Sequence, residues 1–426
     1  MFDLFSMNPT QTSAESGTWV EYNPISSLSD GVPIEFTISG SGQDYMDLAN
    51  SYIYAKVQVV RADNAPIDNT DHVAPINLFL HSLFSEVDIK LNDTLVSSTN
   101  NTYAYRAYLE TLLTYGKEAK QSQFGTALYY KDVAGSMEDD NPHDVAQLNV
   151  GMKSRHEFIE DGHAVDMMGR LHSDLFFQDR LMLNDMTLRI RLVRSKDAFC
   201  LISGAVGAAY KARIVECKML IRKVKVSPSI ALAHARALET TNVKYPVKRG
   251  HVKTYTIPRG NLNHSQEQLF TGDIPSRIVI GIVDNDSFNG RYDRNPFNFK
   301  HYSINQVKLF LDGQPQLVRP IETNFATGHF ISGYASLFNS TGKYMKDENL
   351  DIERTDYHRG YALYAFDLSP DLGDSGHFNL QREGSLRVDL KFGVALPNTV
   401  NVICYAEFDS VIEVDRHRNV IFNYSN

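Results

Sequence analysis

The chain of 426 residues is 42% apolar and 22% charged, which excludes a disordered, collagen-like or disulfide-scaffold protein. Its formal net charge of −9 excludes a dominant role in coating nucleic acid, because duplex binding needs a basic face that releases condensed counterions. The length exceeds what one hydrophobic core normally serves, so two domains are expected.

Tyr (22) and Phe (23) are abundant while Trp occurs once, and the short apolar runs are bounded by Asn, Asp, Ser and Gly, which favours strands and turns. The chain opens with MFDLFSMNPTQTSAESG, which has no basic stretch leading into a long apolar core, so no secretory signal is expected. The N-x-S/T sites at Asn92, Asn100, Asn263, Asn285, Asn339 and Asn423 then read as turn chemistry. Residues 1–34 are polar and punctuated by Pro and Ser, and read as an extended arm of the kind that ties neighbouring subunits together.

Strands follow at Tyr52 to Val60 and Val87 to Leu91, the second with Val87, Ile89 and Leu91 alternating against Asp88 and Lys90, so one face meets a core and the other meets water. A helix is expected over Thr102 to Leu113, with Tyr105, Tyr108, Leu109 and Leu112 on one face. Gly116 to His172, with the acidic residues Glu138, Asp139, Asp140 and Asp144, reads as long surface loops. Leu188, Ile190 and Leu192 alternate with Arg189 and Arg191 in another strand, and Lys211 to Val226 closes the first half. The uncharged stretch Ala198 to Tyr210 falls well short of the roughly 20 residues that span a bilayer, so no membrane anchor is expected. Ser227 to Leu238 reads as a linking helix, with Ser227 able to cap it and Pro228 at its first position.

The second half repeats anchors of the first in the same order. Asp63 and Asn64, closing one strand, correspond to Asp284 and Asn285 at an offset of 221. Val87, Ile89 and Leu91 with the turn Asn92–Asp93 correspond to Val307, Leu309 and Leu311 with Asp312–Gly313 at 220. Leu188, Ile190 and Leu192 match Leu386, Val388 and Leu390 at 198, and Lys211 to Val226 parallels Thr399 to Val414. The expected organisation is all-β: an arm at 1–34, one sandwich over 35–228, a linking helix at 229–240 and a second sandwich over 241–426.

Candidate chemistry is sparse. No two His stand at metal-ligand spacing, and His156 and His163, among Glu157, Glu160 and Asp161, read as a solvated loop. DNDSFNG at 284–290 departs from a calcium loop at Phe288, Asn289 and Asn295. SGSG at 39–42 lacks the Lys of a phosphate loop, and Cys200 beside Phe199 reads as a buried thiol. Cys200, Cys217 and Cys404 are too scattered for a disulfide framework and fit a reducing compartment. No catalytic, cofactor-binding or metal residue is therefore assigned. The basic runs at Arg222, Lys223 and Lys225, at Lys248 and Arg249, and at Arg416 to Arg418 read as solvated faces, with no sequence-specific nucleic-acid binding expected.

Seven runs carry a resemblance: LHSLFSEVDIKLN (80–92), NTYAYRAYLETLL (101–113), RSKDAFC (194–200), RKVKVSP (222–228), IPRGNL (257–262), IVDNDSFNG (282–290) and NPFNFKHY (295–302). Together they resemble the major capsid protein of Polinton/Maverick elements and adintoviruses; Ala104 departs from that pattern, which has Pro there. The resemblance implies two tandem eight-stranded jelly rolls in the adenovirus-like lineage, with no enzymatic activity. It also implies homotrimers that tile an icosahedral shell around double-stranded DNA, with a single jelly-roll penton protein and minor capsid proteins as partners. Two rival expectations are a carbohydrate-binding or glycoside-cleaving jelly roll, which needs facing carboxylates in an aromatic groove, and a penton protein, which needs only one sandwich.

Overall fold

The computed structural model describes residues 10–422 apart from 41, 206, 208, 317–319, 371, 373–378, 380 and 381. Eight principal strands build the first half, apart from a two-residue pair of Ala74–Pro75 with Leu201–Ile202: β1 (Ala14–Tyr22), β2 (Ile34–Ile38), β3 (Asp44–Arg61), β4 (Phe84–Leu91), β5 (Thr94–Ser97), β6 (Ala164–Gly169), β7 (Leu188–Arg194) and β8 (Tyr210–Val226). They form two antiparallel sheets ordered β1-β8-β3-β6 and β2-β7-β4-β5.

The second half uses β9 (Val243–Ile257), β10 (Asn263–Gln266 continued by Thr271–Asp273), β11 (Arg277–Asp284), β12 (Ile304–Leu311), β13 (Gln314–Pro315), β14 (Leu363–Asp367), β15 (Glu383–Phe392) and β16 (Val400–Val414). Their order is β9-β16-β11-β14 and β10-β15-β12-β13, the first-half order with every strand number raised by eight. Each half is thus a complete eight-stranded jelly roll, and the fold is a double jelly roll.

The repeat extends to register. Val87, Ile89 and Leu91 pair with Leu192, Ile190 and Leu188, and Val307, Leu309 and Leu311 pair with Leu390, Val388 and Leu386. Matching cross-strand pairs therefore fill the same place in each core, where burying one such side chain contributes about 1.5–3 kcal/mol. The turns after these strands need positive φ, and Asn92, Asp93, Asp312 and Gly313 all adopt it.

The expected helices form as α1 (Tyr103–Thr114) and the linking helix α3 (Pro228–Ala237); Ser227 does not cap α3, because its hydroxyl meets Ser229 Oγ. One expectation is extended and one is corrected. Within the expected arm, residues 14–22 form β1, which pairs with Met219–Val226 of β8. An edge strand needs only a free backbone ladder, so its polar composition is no obstacle; Trp19 adds an Nε1–H bond to Asn50 O at 2.9 Å and stacks on the Arg222 guanidinium. Residues 1–9 of that arm lie outside the described residues.

Gly116 to His172 are not simple surface loops. They contain α2 (Val150–Glu157) and β6, and bury Lys120, Asp132, Asn149, Arg155 and His156. The acidic residues are used locally. Glu138 binds Arg294 and Lys300, Asp139 accepts the N–H groups of Leu148 and Asn149, and Asp140 accepts from Gln147.

One core is not confined to its sandwich. Along β11 and β16, Ile278, Ile280, Ile282, Val402, Cys404 and Phe408 enter the second sandwich's own core. The alternate residues Val279, Val283, Ile403 and Tyr405 enter a cluster continuous with the first half. This sheet is buried on both faces, which explains the unbroken apolar run IVIGIV in β11.

Candidate assembly interface

The two halves are locked by α1. Its aromatic stripe reaches across the seam: Tyr108 stacks on Phe297 at 4.1 Å with rings 3° apart, and Tyr105 meets Phe297 edge-on and Phe288 face-on, both at 5.7 Å. Tyr103 Oη lies 2.9 Å from His81 Nδ1. Two of the runs that carry the sequence resemblance, 101–113 and 295–302, are therefore the two sides of one aromatic joint. Two glycines admit this approach. A Cβ on Gly281 would lie 2.5 Å from Phe299, and one on Gly250 would lie 2.7 Å from the Glu110 carboxylate.

Beside the rings runs a buried charged chain. Arg106 donates to Glu110 at 2.8 Å and to Asp174 at 2.6 Å, and Asp174 also accepts the Gly250 N–H of the second half. His172 Nδ1 lies 2.7 Å from Glu110, and Tyr405 donates to Glu407, itself bridged to Arg277. Burial pushes the Glu110 carboxyl up, but Arg106 and His172 overcome this and hold it at about 2. Burial drives the His81 ring well below its ordinary range, with His172 adding to the effect. Glu110, Asp179 and Glu407 are the carboxylates that line a cleft of about 430 Å³ at the seam. Glu110 and Glu407 are bridged to Arg106 and Arg277, so neither of these two is a free acid or base.

A second set of bonds joins the insertions that precede β6 and β14. Arg155, buried, spends its guanidinium on Pro75 O, Tyr130 O and the Asp132 carboxylate at 2.6 Å. Asp132 in turn accepts from Asn149 and from Asn295 of the second half. Lys120 donates to Leu112 O and Leu350 O, Lys343 to Thr114 O, and Lys131 to Asp356. Burial lowers the Lys120 ammonium to about 7. A buried charge held this way resists separation of the halves, since removing one partner strands the other.

The groups singled out from sequence do not converge. His156 is buried with Nδ1 2.7 Å from Val73 O, while His163 is exposed. Asp284 caps a short helix through the Asp286 N–H. Cys200, Cys217 and Cys404 are buried free thiols, each pushed up by burial, Cys217 to about 12. Among the described residues, no three His, Cys, Asp or Glu side chains are grouped to hold a metal ion. No described helix is long and apolar enough to cross a membrane. The seam itself was not foreseen from sequence; Arg106 and Glu110, four apart on a helix beside an aromatic stripe, were its one local signal.

The outer surface of the insertions is apolar in places. Val145 is 92% exposed and Leu148 65%, with Val150 beside them; on the second-half insertion Met345 is 86% exposed, with Tyr344 adjacent. Exposed apolar groups thus stand on the insertions that precede β6 and β14, one in each jelly roll.

The architecture places the chain in the double jelly-roll class. Similar structures include a chain of the Sputnik virophage (TM-score 0.67, 11% identity, 100% of this chain and 92% of that one). The Faustovirus major capsid protein gives 0.58 at 8% identity, covering 96% and 92%. The mavirus major capsid protein gives 0.54 at 12%, covering 99% and 93%. By sequence, an uncharacterised Caenorhabditis elegans protein is 26% identical over 430 residues, covering 97% of this chain and 99% of that protein. No family model matches the chain.

Proposed function

We propose that this chain is a structural major capsid protein of the Polinton/Maverick and adintovirus kind, with jelly rolls over 35–228 and 241–426 joined at 229–240. The arm expected over 1–34 contributes β1 to the first jelly roll. Homotrimers present six nearly equivalent corners and tile an icosahedral shell around double-stranded DNA. A single jelly-roll penton protein and minor capsid proteins complete the shell, and the chain resides in the virion capsid. It has no catalytic, cofactor or metal residue, no sequence-specific contact with nucleic acid, and no membrane anchor.

The observation that carries this reading is the repeat of eight principal strands in the same order, fused into one block by a shared core. A tile needs two similar footprints held at fixed geometry, and three such chains around an axis give a pseudo-hexagon. Chemistry would instead need free titratable groups in a cleft, whereas Glu110 and Glu407 at the seam are each paired with an arginine. The formal charge of −9 fits a shell that encloses DNA without gripping it. Many weak repeated contacts then give the shell its stability.

Expression of the full chain, followed by cryo-electron microscopy of the assembled material, tests the proposal. The expected result is six-sided capsomers with three-fold density, each corner fitted by one jelly roll. Assemblies in which the two jelly rolls of one chain occupy unrelated environments, or an absence of any lattice at high concentration, would overturn it.

A further inference from the structure

We propose, building on the capsid reading, that the outer side of the sheet β1-β8-β3-β6 seats the second jelly roll of a neighbouring copy of this chain through charged and polar pairs that salt releases. The chain already makes the corresponding contact with itself. On the equivalent sheet β9-β16-β11-β14, the first half covers the β9 edge and the outer face beside it. Asp174 accepts the Gly250 N–H at 3.2 Å, Arg180 donates to Lys244 O at 2.6 Å, and Tyr405 donates to Glu110 at 3.4 Å. Pro246, which has no N–H to leave unpaired, stands between those two edge positions. Val279 and Tyr405, on the covered face, are only 0% and 3% exposed.

The first-half sheet offers the same positions uncovered. Lys56 faces Glu216 where Arg277 faces Glu407, and Gln58 faces Arg213 where Val279 faces Tyr405. Arg213 is exposed and donates to Gln58, while Lys56 and Glu216 are partly exposed, Glu216 accepting from Lys218 at 2.6 Å. Strand β1, the counterpart of β9, exposes six of its nine residues against three of fifteen, and among the described residues no strand pairs with its outer edge. Neither Pro nor Lys guards that edge. Within one chain the first jelly roll covers the second, so the second jelly roll of a neighbour, set against the open sheet, repeats the contact and lets three copies close a ring. With Gln58 and Arg213 in place of Val279 and Tyr405, the contact between copies is wetter and more charged than the seam within one.

The test measures the mass of the full chain by light scattering at about 0.1 M and about 1 M salt, between which the screening length falls from about 10 to about 3 Å. The unaltered chain is expected to have a three-chain mass at low salt and a single-chain mass at high salt, with its melting curve intact. A chain carrying Lys56→Glu and Arg213→Glu should dissociate at a concentration at least tenfold higher than the unaltered chain at low salt, whereas Arg189→Glu, on the other sheet, should not. Hydrogen exchange of the unaltered chain gives a readout that needs no variant: backbone amides of residues 15–22 should exchange several-fold more slowly in the three-chain form than in the single chain. The proposal is overturned if the three-chain form survives high salt, if the double variant associates as the unaltered chain does, or if exchange in β1 is the same in both forms. A single-chain mass for the unaltered chain at every salt and concentration would instead remove the capsid reading, and this contact with it.

Discussion

The two jelly rolls share strand order and register, yet the sheets containing their longest strands live in different surroundings. In the first half that sheet buries one face: β3 alternates buried Ile53, Ala55 and Val57 with partly exposed Tyr54, Lys56 and Gln58. In the second half the equivalent strand, β11, is buried from Ile278 through Asp284, because α1 and the second-half insertion cover its outer face. Duplication copied the topology, while burial followed from which copy received the joint. A jelly roll with an open face can move as a separate unit; one whose face is filled by its twin cannot, and that is what fixes the spacing of two footprints in one tile.

The sharpest way to break this comparison is to cut the joint. Asp132→Ala strands the Arg155 guanidinium in the interior and removes the link to Asn295, and should cost about 3–5 kcal/mol in denaturant unfolding. A loss below 1 kcal/mol would show that the insertions do not bind the halves.

Acid should attack the same region. Burial, with Lys253 and Arg249, lowers His251 from 6.5 to about 4, so between those values the unfolded chain takes up a proton that the folded chain refuses. Glu110, held at about 2, contributes stability that is present above its ordinary 4.5 and lost as pH falls toward 2. Stability should therefore decline steadily from pH 6.5 downward, each group accounting for roughly 3 kcal/mol at most. A melting temperature that stays flat between pH 6.5 and 4 would contradict the burial assigned to His251.

Smaller effects sharpen the contrast between the two sheets. Gly281→Ala places a methyl against Phe299 and Leu363 and should cost about 1–3 kcal/mol, although alanine is ordinarily the better strand residue. Arg189→Ala, on β7 in the other sheet of the first half where Arg189 and Asp93 are both exposed, should change stability by no more than about 0.5 kcal/mol.

Much of the architecture was legible because it is written in short-range pattern. Alternation placed β4, β7, β12 and β15, the positive-φ turns located their ends, and the i, i+3, i+4, i+7 stripe of Tyr105, Tyr108, Leu109 and Leu112 located α1. What that stripe packs against was not legible, since Phe297 lies nearly 190 residues away and an aromatic stripe reads the same against any core. The edge strand β1 escaped notice because its pairing is backbone to backbone and asks little of its side chains. Polar composition likewise hid the order of the first insertion, where Arg155, Asp132 and Asn149 are buried by satisfying one another.

Light scattering on the size-exclusion peak of the purified chain tests the central claim of self-association most directly. The predicted result is a mass of three chains that persists on dilution, with growth into larger particles as concentration rises. A single-chain mass at every concentration, with no larger species, would contradict it.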